Sequence, residues 1–534
     1  MIPPRRDRHS LRDRLAAMPG GPRLAALGVT CSVATFVLLA GLYAYSVPML
    51  APADEPSHIG YALEVGSGRL PTVDTDVPAG DPRIAGVLVG KDADHHDIWT
   101  ANHPPLFYAI SAIPVRLGLR QPPPYLSALR LVRLIPIVFA ALAVVLVALL
   151  AWELVPGRPQ TAVAAAGLAA LTPALVSASG SFYNDSLAFL TSTATLLAAV
   201  VLVRRGPTWR RLAVLTVASV ATALTRTSGL AVIAVAAVAV VGAVWLHGQG
   251  PRARRALRSA AWAGALGVVV AAASGWFYLR NLRLYGDLTG ADVLFAKFER
   301  IPAGSTTGVL VTPEFWSLLA RRMLDYASYR LGRAARPWLG IAAVPVLLGL
   351  GVIVLRRARH RLLPRVLGPR LLSWSLLALL TAAMVVAVAD FTARGGNLHG
   401  RYLLPALGPL ATAAALGLGA LPTGRRGVPT GLALAALACL NVIVLNHYLS
   451  YTVMGTGPHE PPLVTAVRTA GNLPVLPVLA LVLVAVAVLV VVQAVVLWRL
   501  TPEPTGYTLL SRWRPAEPVT ATASAPDRVP ARQP

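Results

Sequence analysis

The sequence predicts an all-α, polytopic integral membrane protein with about 12 transmembrane helices. Hydrophobic residues make up 55% of the 534 residues and charged residues only 13%, which leaves too little polar surface to coat soluble domains. The apolar residues lie in runs close to the roughly 20 residues that cross a hydrocarbon core. Because an isolated run of this kind satisfies its backbone in lipid only as a helix, the predicted fold is a helix bundle.

The predicted spans follow from the length of each apolar run and from the charges between the runs. They are residues 24–47, 134–152, 161–179, 186–203, 212–224, 230–246, 260–278, 339–355, 371–389, 403–421, 431–449 and 475–498. A basic N-terminal segment, residues 1–23, precedes the transmembrane domain, residues 24–499. A tail rich in Pro, Ala and Thr, residues 500–534, is predicted to be disordered.

The net charge of +25 would suggest a nucleic-acid partner in a soluble protein. Here the arginines cluster between apolar runs, at residues 204–211, 252–258 and 356–361. Basic loops of membrane proteins stay on the cytoplasmic side. We therefore expect no nucleic-acid partner, and a multi-pass protein of the cell membrane with both termini in the cytoplasm.

The same topology places two large loops outside the cytoplasm, residues 48–133 and 280–337. The apolar stretch 104–115 lies in the first loop and would invert every later span if it crossed the membrane. A helix of this length reaches only about 18 Å, which is short of the hydrocarbon core. We therefore predict juxtamembrane helices in the first external loop and no crossing at 104–115.

Two adjacent carboxylates, Asp54 and Glu55, directly follow the first predicted span. A carboxylate fixed at a membrane boundary can accept a proton from an attacking hydroxyl or hold a divalent cation. The alternative is a pair of solvated loop acids. A second acidic site, Asp185, is predicted at the same depth, where it can also cap the helix that follows it.

Arg226 follows the cytoplasmic Arg211 so closely that the helix between them covers only roughly 21 Å. Its side chain is therefore predicted to lie below the external surface, where a charged residue usually has a function and a partner. A buried guanidinium suits a phosphate group. The alternative is an arginine that snorkels from a helix end.

Three further candidates face the same external side as Asp54. Arg280 follows the seventh predicted span, Arg401 precedes the tenth, and His103 precedes the short helix at 104–115. Aromatic and basic residues at such boundaries are also ordinary interface anchors. The shared side of the membrane favours a common site.

In chain order, these residues resemble the signatures of the GT-C superfamily of membrane glycosyltransferases, which use polyprenyl-phosphate-linked sugars. The first motifs are similar to those of protein O-mannosyltransferases and of the lipid A aminoarabinose transferase, and the resemblance covers about residues 24–420. The matching motifs are Asp54-Glu55, His103-Pro104-Pro105-Leu106, Asn184-Asp185, Thr225-Arg226-Thr227-Ser228-Gly229, Arg280-Asn281, Tyr285-Gly286-Asp287 and Gly400-Arg401-Tyr402.

The resemblance implies a GT-C-like fold and a hexosyl- or pentosyltransferase of the cell envelope. It would move a sugar from a polyprenyl-phosphate donor in the membrane lipid to an extracytoplasmic acceptor that the sequence does not identify. Asp54, with Glu55 beside it, would be catalytic. Arg226 would contact the lipid phosphate, and the further donor-binding candidates are Arg280, Arg401 and His103.

The cofactor expectation is limited to a divalent metal, Mg²⁺ or Mn²⁺, held by Asp54 and Asp185. The sequence has no Asp-X-Asp pair at Asn184-Asp185, so this metal site stays an open alternative.

Two other functions suit a polytopic membrane protein: a transporter or lipid flippase, and a non-catalytic scaffold. Transporters place ionisable groups or broken helices near the membrane midplane, often in repeated halves. The sequence has no clear repeat, and the strongly polar residues well inside its predicted spans are Asn441 and Gln493. The transferase is therefore the favoured hypothesis.

Overall fold

The computed structural model describes residues 21–77, 84, 96–120, 128–325, 346–352, 354, 368–421, 427–452, 461–471 and 474–501. Within these residues the regular structure is helical, and the one β contact is an isolated bridge between Asp76 and Asp97. The predicted all-α class is confirmed. Most of the predicted span 339–355, most of the N-terminal segment and almost all of the tail lie outside the described residues.

The helices follow the predicted apolar runs closely, and short 3-10 helices cover Trp99–Asn102, Arg130–Arg133 and Gly400–Ala406. The α-helices are α1 (Gly21–Ser46), α2 (Glu55–Gly66), α3 (Leu106–Leu119), α4 (Leu134–Leu154), α5 (Pro159–Ala170), α6 (Pro173–Gly180), α7 (Asp185–Arg205), α8 (Trp209–Ala223), α9 (Gly229–His247), α10 (Arg252–Tyr285), α11 (Ala291–Lys297), α12 (Thr306–Val311), α13 (Pro313–Met323), α14 (Pro369–Ala393), α15 (Leu407–Ala420), α16 (Val428–Thr452), α17 (Pro462–Ala470) and α18 (Val475–Leu500).

In the described part of the chain, 9 helices are long and apolar enough to cross a membrane. The predicted span 161–179 consists instead of two helices, α5 and α6, that meet at an angle of 56°. The predicted span 212–224 corresponds to α8, whose 15 residues rise about 22 Å. The multi-pass helical architecture is confirmed, whereas the count of about 12 spans is not.

The bent pair of helices α5 and α6 is held by polar side chains from the neighbouring helices, one of them at the bend itself. The Asn441 amide on α16 donates a hydrogen bond of 2.9 Å to the Leu171 carbonyl at the bend. The Gln493 amide on α18 donates to Ser32 Oγ at 2.7 Å and to the Val163 carbonyl at 3.4 Å. The two polar residues noted inside the predicted spans therefore bind helices to one another, which is a structural role.

Most of the stretch 104–115 lies in α3, a helix of 14 residues that begins at Leu106, rises about 21 Å and so falls short of a hydrocarbon core. Phe107 and Tyr108 are buried in the bundle, whereas Ile110 and Ile113 on the outer face are 46% and 69% exposed. A helix with one buried face and one apolar outer face suits a position at the membrane interface. That it does not cross the membrane stays a prediction.

The predicted topology implies opposite labelling at two exposed positions, because it places the basic loops in the cytoplasm. In a chain whose Cys31 and Cys439 are replaced by alanine, Ala296→Cys on α11 should react with a membrane-impermeant maleimide in intact cells. Gln249→Cys, between α9 and α10, should react only after permeabilisation. The reverse pattern would place the predicted catalytic residues in the cytoplasm.

Candidate active site

Asp54 lies in the turn between α1 and α2, where it occupies the N-cap position of α2. Its carboxylate makes no capping hydrogen bond to that helix, so it is directed to other elements. The chain before it reverses at Leu50, which adopts a φ of 65°, a conformation that is uncommon for leucine. This tight turn fixes Asp54 at the end of the bundle.

Asp54, Arg401, Asp185 and Arg226 form one continuous chain of charged groups. Arg401 Nη2 donates to Asp54 Oδ2, and Arg401 Nη1 lies 3.9 Å from Asp185 Oδ2. The other oxygen of Asp185, Oδ1, accepts from Arg226 Nη1. The structure therefore brings together four predicted site residues, although Asp54 and Arg401 are 347 positions apart in the chain.

This charged network is largely withdrawn from solvent. Asp185 is 2% exposed at its side chain, the two arginines are each 14% exposed, and Asp54 is 25% exposed. Charges in such a setting are screened much less by salt than charges at the surface. Asp54 is the most accessible member of the network.

Aromatic rings and a close helix contact hold the two guanidinium groups. Arg401 lies over the Tyr183 ring at 4.5 Å, and Arg226 lies over the Tyr402 ring at 5.3 Å. The 3-10 helix that carries Arg401 begins at Gly400, where an added Cβ would come within 2.1 Å of a backbone carbonyl oxygen of α13. Glycine at this position therefore permits the approach that delivers Arg401 to the site.

Electrostatics set the protonation states around Asp54. Burial alone would raise the pKa of Asp54, but the charge of Arg401 and its hydrogen bond outweigh burial and lower the pKa well below the usual range. Burial lowers the pKa of both His58 and His399 to about 3, and it lowers the pKa of His103 well below its usual value. Near neutral pH, the site combines a charged carboxylate with neutral imidazoles.

A cavity of about 90 Å³ opens beside Asp54. The Asp54 oxygen that Arg401 does not bind, Oδ1, has no hydrogen-bond partner within the described residues. The cavity therefore gives a small polar group access to the carboxylate. Its polar lining comprises Tyr43, Asp54, Ser177, Ser181, Tyr183, Arg322, Asp325, His399, Arg401 and Tyr448.

Glu55 points away from this cavity, into a fully buried ion pair with Arg133. Arg133 Nε donates to Glu55 Oε1 at 2.7 Å, and Arg133 Nη2 donates to Oε2 at 2.6 Å. The backbone N–H groups of Phe182 and Leu50 also donate to the carboxylate, at 2.9 and 2.8 Å. Both Glu55 oxygens thus have two donors, and the structure does not place Glu55 where a substrate could contact it.

Arg133 fixes the end of α1 as well as Glu55. Its Nη1 donates to the carbonyls of Ala44 and Val47 at 2.8 and 2.7 Å, and its Nη2 donates to the Pro48 carbonyl at 3.0 Å. The pair therefore joins the end of α1, the turn that carries Asp54 and the segment before α7. Its geometry makes it a positioning element for the neighbouring Asp54.

His103 and Arg280 lie outside the charged network. The His103 ring is 6.5 Å from that of His58, and its Nδ1 has no hydrogen-bond partner in the described part of the chain. Arg280 Nη2 donates to the Pro71 carbonyl at 2.6 Å, which ties the end of α10 to the loop that follows α2. The structure thus places His103 near the site and gives Arg280 a structural contact.

The charged network bears directly on the metal alternative. The Arg401 guanidinium lies between Asp54 and Asp185 and supplies the positive charge that a divalent cation would bring. The described residues contain no group of three or more His, Cys, Asp or Glu side chains arranged for a metal ion. The two carboxylates therefore do not fit a divalent cation unless Arg401 moves.

An apolar groove of about 470 Å³ lies between α7 and α8 on the outer face of the bundle. Two of its lining residues are close in sequence to the ion pair of Asp185 and Arg226. Leu190 is five residues from Asp185, and Ala221 is five residues from Arg226. The groove therefore ends close to the Asp185–Arg226 ion pair. Its lining residues are Leu190, Thr191, Ala194, Ala213, Val214, Val217, Ala218 and Ala221.

No family model and no curated protein matches the chain. Among solved structures, the chain resembles ArnT from Cupriavidus metallidurans bound to undecaprenyl phosphate, with a TM-score of 0.45 and 16% identity over 86% of this chain and 75% of that one. It also resembles the Archaeoglobus fulgidus oligosaccharyltransferase, with a TM-score of 0.38 and 14% identity over 89% of this chain and 57% of that one.

Both similar structures are GT-C glycosyltransferases, the superfamily whose motifs the sequence resembles. A second structure of the Archaeoglobus fulgidus enzyme, in complex with Zn and sulfate, has a TM-score of 0.36 and 16% identity over 82% of this chain and 53% of that one. At these TM-scores and identities, the resemblance by itself assigns no activity to this chain.

The residues of the site that were not singled out from the sequence include Arg133, Tyr183 and Asp325. Arg133 stands directly before a predicted span, which is typical of an ordinary flanking arginine. Tyr183 precedes the Asn184-Asp185 motif, and its role as a platform for Arg401 depends on the folded structure. Asp325 lines the cavity from the end of α13, in a loop without a recognisable motif.

Proposed function

We propose that this chain is a glycosyltransferase that moves a sugar from a polyprenyl-phosphate donor to an acceptor hydroxyl at the external membrane surface. The observation that carries the proposal is the charged network of Asp54, Arg401, Asp185 and Arg226 beside a cavity. It combines an accessible carboxylate with two guanidinium groups. These are the groups needed to accept a proton and to stabilise a departing phosphate.

Asp54 is proposed as the general base. The acceptor hydroxyl would enter from the cavity and donate its proton to the Asp54 carboxylate while its oxygen forms a bond to the anomeric carbon. The bond between that carbon and the phosphate oxygen breaks, and polyprenyl phosphate departs with the bonding electrons. The ionised state of Asp54 near neutral pH supports this role.

Arg226 and Arg401 are proposed to stabilise the phosphate as it departs. A guanidinium has five N–H donors, so Arg226 can keep Asp185 as a partner while it also binds a phosphate oxygen. When the donor phosphate attracts Arg401, the hold of Arg401 on Asp54 weakens and the carboxylate becomes more basic. Donor binding would thereby prepare the base for the acceptor.

The apolar groove between α7 and α8 supports a donor that carries a hydrocarbon chain. It lies on the outer face of the bundle and ends close to Arg226. A phosphate at Arg226 would therefore leave the attached chain on an apolar surface. Asn441 and Gln493 make hydrogen bonds to neighbouring helices, so these two polar residues do not support a transporter.

Arg226→Gln tests the proposal because it removes the phosphate partner. The loss of a charge-assisted hydrogen bond should lower kcat/KM for the donor by roughly 10- to 100-fold. Arg226→Lys, which keeps the charge without the planar fork, should lie between this variant and the wild type. The measurement is sugar transfer by purified protein with defined polyprenyl-phosphate donors.

Arg283→Gln is the matched control, because Arg283 is exposed near the end of α10 and makes no ion pair within the described residues. It should leave the donor KM unchanged. An Arg226→Gln protein that folds normally and retains the wild-type kcat/KM would remove Arg226 from the donor site.

A further inference from the structure

The negatively charged side chains are distributed unequally between the two ends of the helix bundle. One end of the bundle is formed by the last residues of α4, α7 and α9 and by the first residues of α8, α10 and α14. Of the carboxylates in the described residues, Glu153 alone lies at this end. Glu153 is paired there with Arg204 and Arg205. The other arginines of this end are left without a carboxylate among the described residues.

We infer that six of these arginines, here called the basic face, bind the headgroups of anionic phospholipids in the adjacent leaflet. The basic face belongs to the starts of α8, α10 and α14, and α10 packs against both α8 and α9. It consists of Arg210, Arg211, Arg252, Arg254, Arg258 and Arg370.

Contacts between helix ends gather the basic face into one surface. Arg211 Nη1 donates to the carbonyls of Arg205 and Gly206 at the end of α7, each at 2.6 Å. The His247 ring at the end of α9 lies 2.8 Å from the Val203 carbonyl. These contacts tie the end of α7 to the start of α8 and to the end of α9. Because α9 ends at His247, α10 begins at Arg252 and α14 packs against α9, the arginine charges add over one region.

The apolar neighbours of the basic face identify the partner as a lipid. Trp209 beside Arg210 is 72% exposed, Leu257 beside Arg258 is 73% exposed, and Val214 one turn into α8 is 61% exposed. The Arg210 guanidinium lies 5.4 Å from the Trp209 ring centre. Tryptophan and arginine mark the headgroup level of a membrane.

An amphipathic partner satisfies both components of this surface. An anionic headgroup neutralises the arginines, and the acyl chains below it cover the tryptophan, leucine and valine. A nucleic acid or an acidic peptide would supply charge alone and leave the apolar side chains in water. The basic face therefore fits an anionic phospholipid better than a soluble polyanion.

The test measures which lipid remains bound to the full-length protein. Detergent-purified wild-type protein is mixed with equal amounts of phosphatidylglycerol and phosphatidylcholine with identical acyl chains, repurified, and its lipids are quantified by mass spectrometry. We expect phosphatidylglycerol to be enriched about fivefold or more, and we expect salt to reduce the enrichment as ionic strength rises from about 0.1 M to about 1 M. Equal retention of the two lipids would overturn the proposal.

The triple variant R210Q/R254Q/R258Q should lose most of this enrichment. The matched control R120Q/R283Q/R468Q removes the same charge from the opposite end and should keep it. Loss of enrichment in the control, or its retention in the first variant, would overturn the proposal.

Competition on the wild-type protein tests the inference without any variant. Neither glycerol 3-phosphate nor polyglutamate should displace phosphatidylglycerol, because neither covers the apolar side chains. Displacement by either competitor at matched charge would assign the surface to a free phosphate or to an acidic protein segment. The outcome is independent of sugar transfer, so it leaves the proposed function untouched.

Discussion

We expect Asp54→Asn to lower the rate of sugar transfer by roughly 100-fold or more, while the protein stays folded. The amide keeps the shape of the carboxylate and still accepts a hydrogen bond from Arg401, but it cannot take the proton of the acceptor hydroxyl. The measurement is the initial rate of label transfer from a defined polyprenyl-phosphate sugar by purified protein. The thermal unfolding midpoint of the variant should remain near that of the wild type.

Asp292→Asn is the matched control for this prediction. Asp292 is an exposed acid that pairs with Arg394 on the same side of the protein, outside the charged network. Its replacement should leave the transfer rate unchanged. Undiminished transfer by a folded Asp54→Asn protein would eliminate Asp54 as the base, and the buried Glu55 could not replace it without a rearrangement of its ion pair.

We expect Arg133→Met to destabilise the protein by about 3–5 kcal/mol, because it leaves the Glu55 carboxylate buried without a countercharge. The three backbone carbonyls at the end of α1 would lose their donor at the same time. The free energy of unfolding can be measured in detergent with a chemical denaturant. The transfer rate should fall as well, since the turn that carries Asp54 loses its anchor.

The double variant Glu55→Gln/Arg133→Met separates buried charge from lost packing. It removes both charges, so it should recover part of the stability that the single variant loses. A single Arg133→Met variant as stable as the wild type would show that the pair does not hold this turn. A double variant less stable than the single one would show that the unpaired Glu55 charge is not the cause of the loss in the single variant.

Sequence reasoning could predict which residues share one side of the membrane, because span length and charge asymmetry are local properties. It placed Asp54, Asp185, Arg226 and Arg401 on one side, where the structure joins them. A sunken Arg226 is consistent with the 15 residues of α8 and with a side chain that is only 14% exposed.

The pairing within the site could not be predicted, because it depends on how distant segments pack. Nothing near Glu55 in the sequence distinguishes it from Asp54, yet it is buried by Arg133, 78 residues away. The two neighbours separate because α2 begins between them, so the helix directs Glu55 inward while Asp54 stays in the turn. Arg280 was predicted to face the site, and its hydrogen bond to the Pro71 carbonyl also requires the folded loop.

The bend between α5 and α6 could also be predicted only in part from the sequence. Pro173 suggests a local change of direction, because proline lacks the N–H needed to continue the helix above it. A bend in the buried core leaves the Leu171 carbonyl without a helical donor, because the Leu175 N–H bonds to Thr172 instead. Asn441 supplies the missing donor from a helix 270 residues away. A polar residue inside a span therefore had two interpretations, structural and functional, until its partner was known.

The most direct test of the central claim is whether this protein breaks the bond between a sugar and polyprenyl phosphate. Purified protein in phospholipid vesicles is given a panel of undecaprenyl-phosphate-linked hexoses and pentoses, labelled in the sugar, together with a cell-envelope extract that contains the acceptor. Our account predicts that one donor is converted to free polyprenyl phosphate, with the label recovered in the envelope fraction, and that Asp54→Asn abolishes this conversion. Recovery of every donor intact with the wild-type protein, while labelled lipid moves between the leaflets, would contradict the account and identify a flippase.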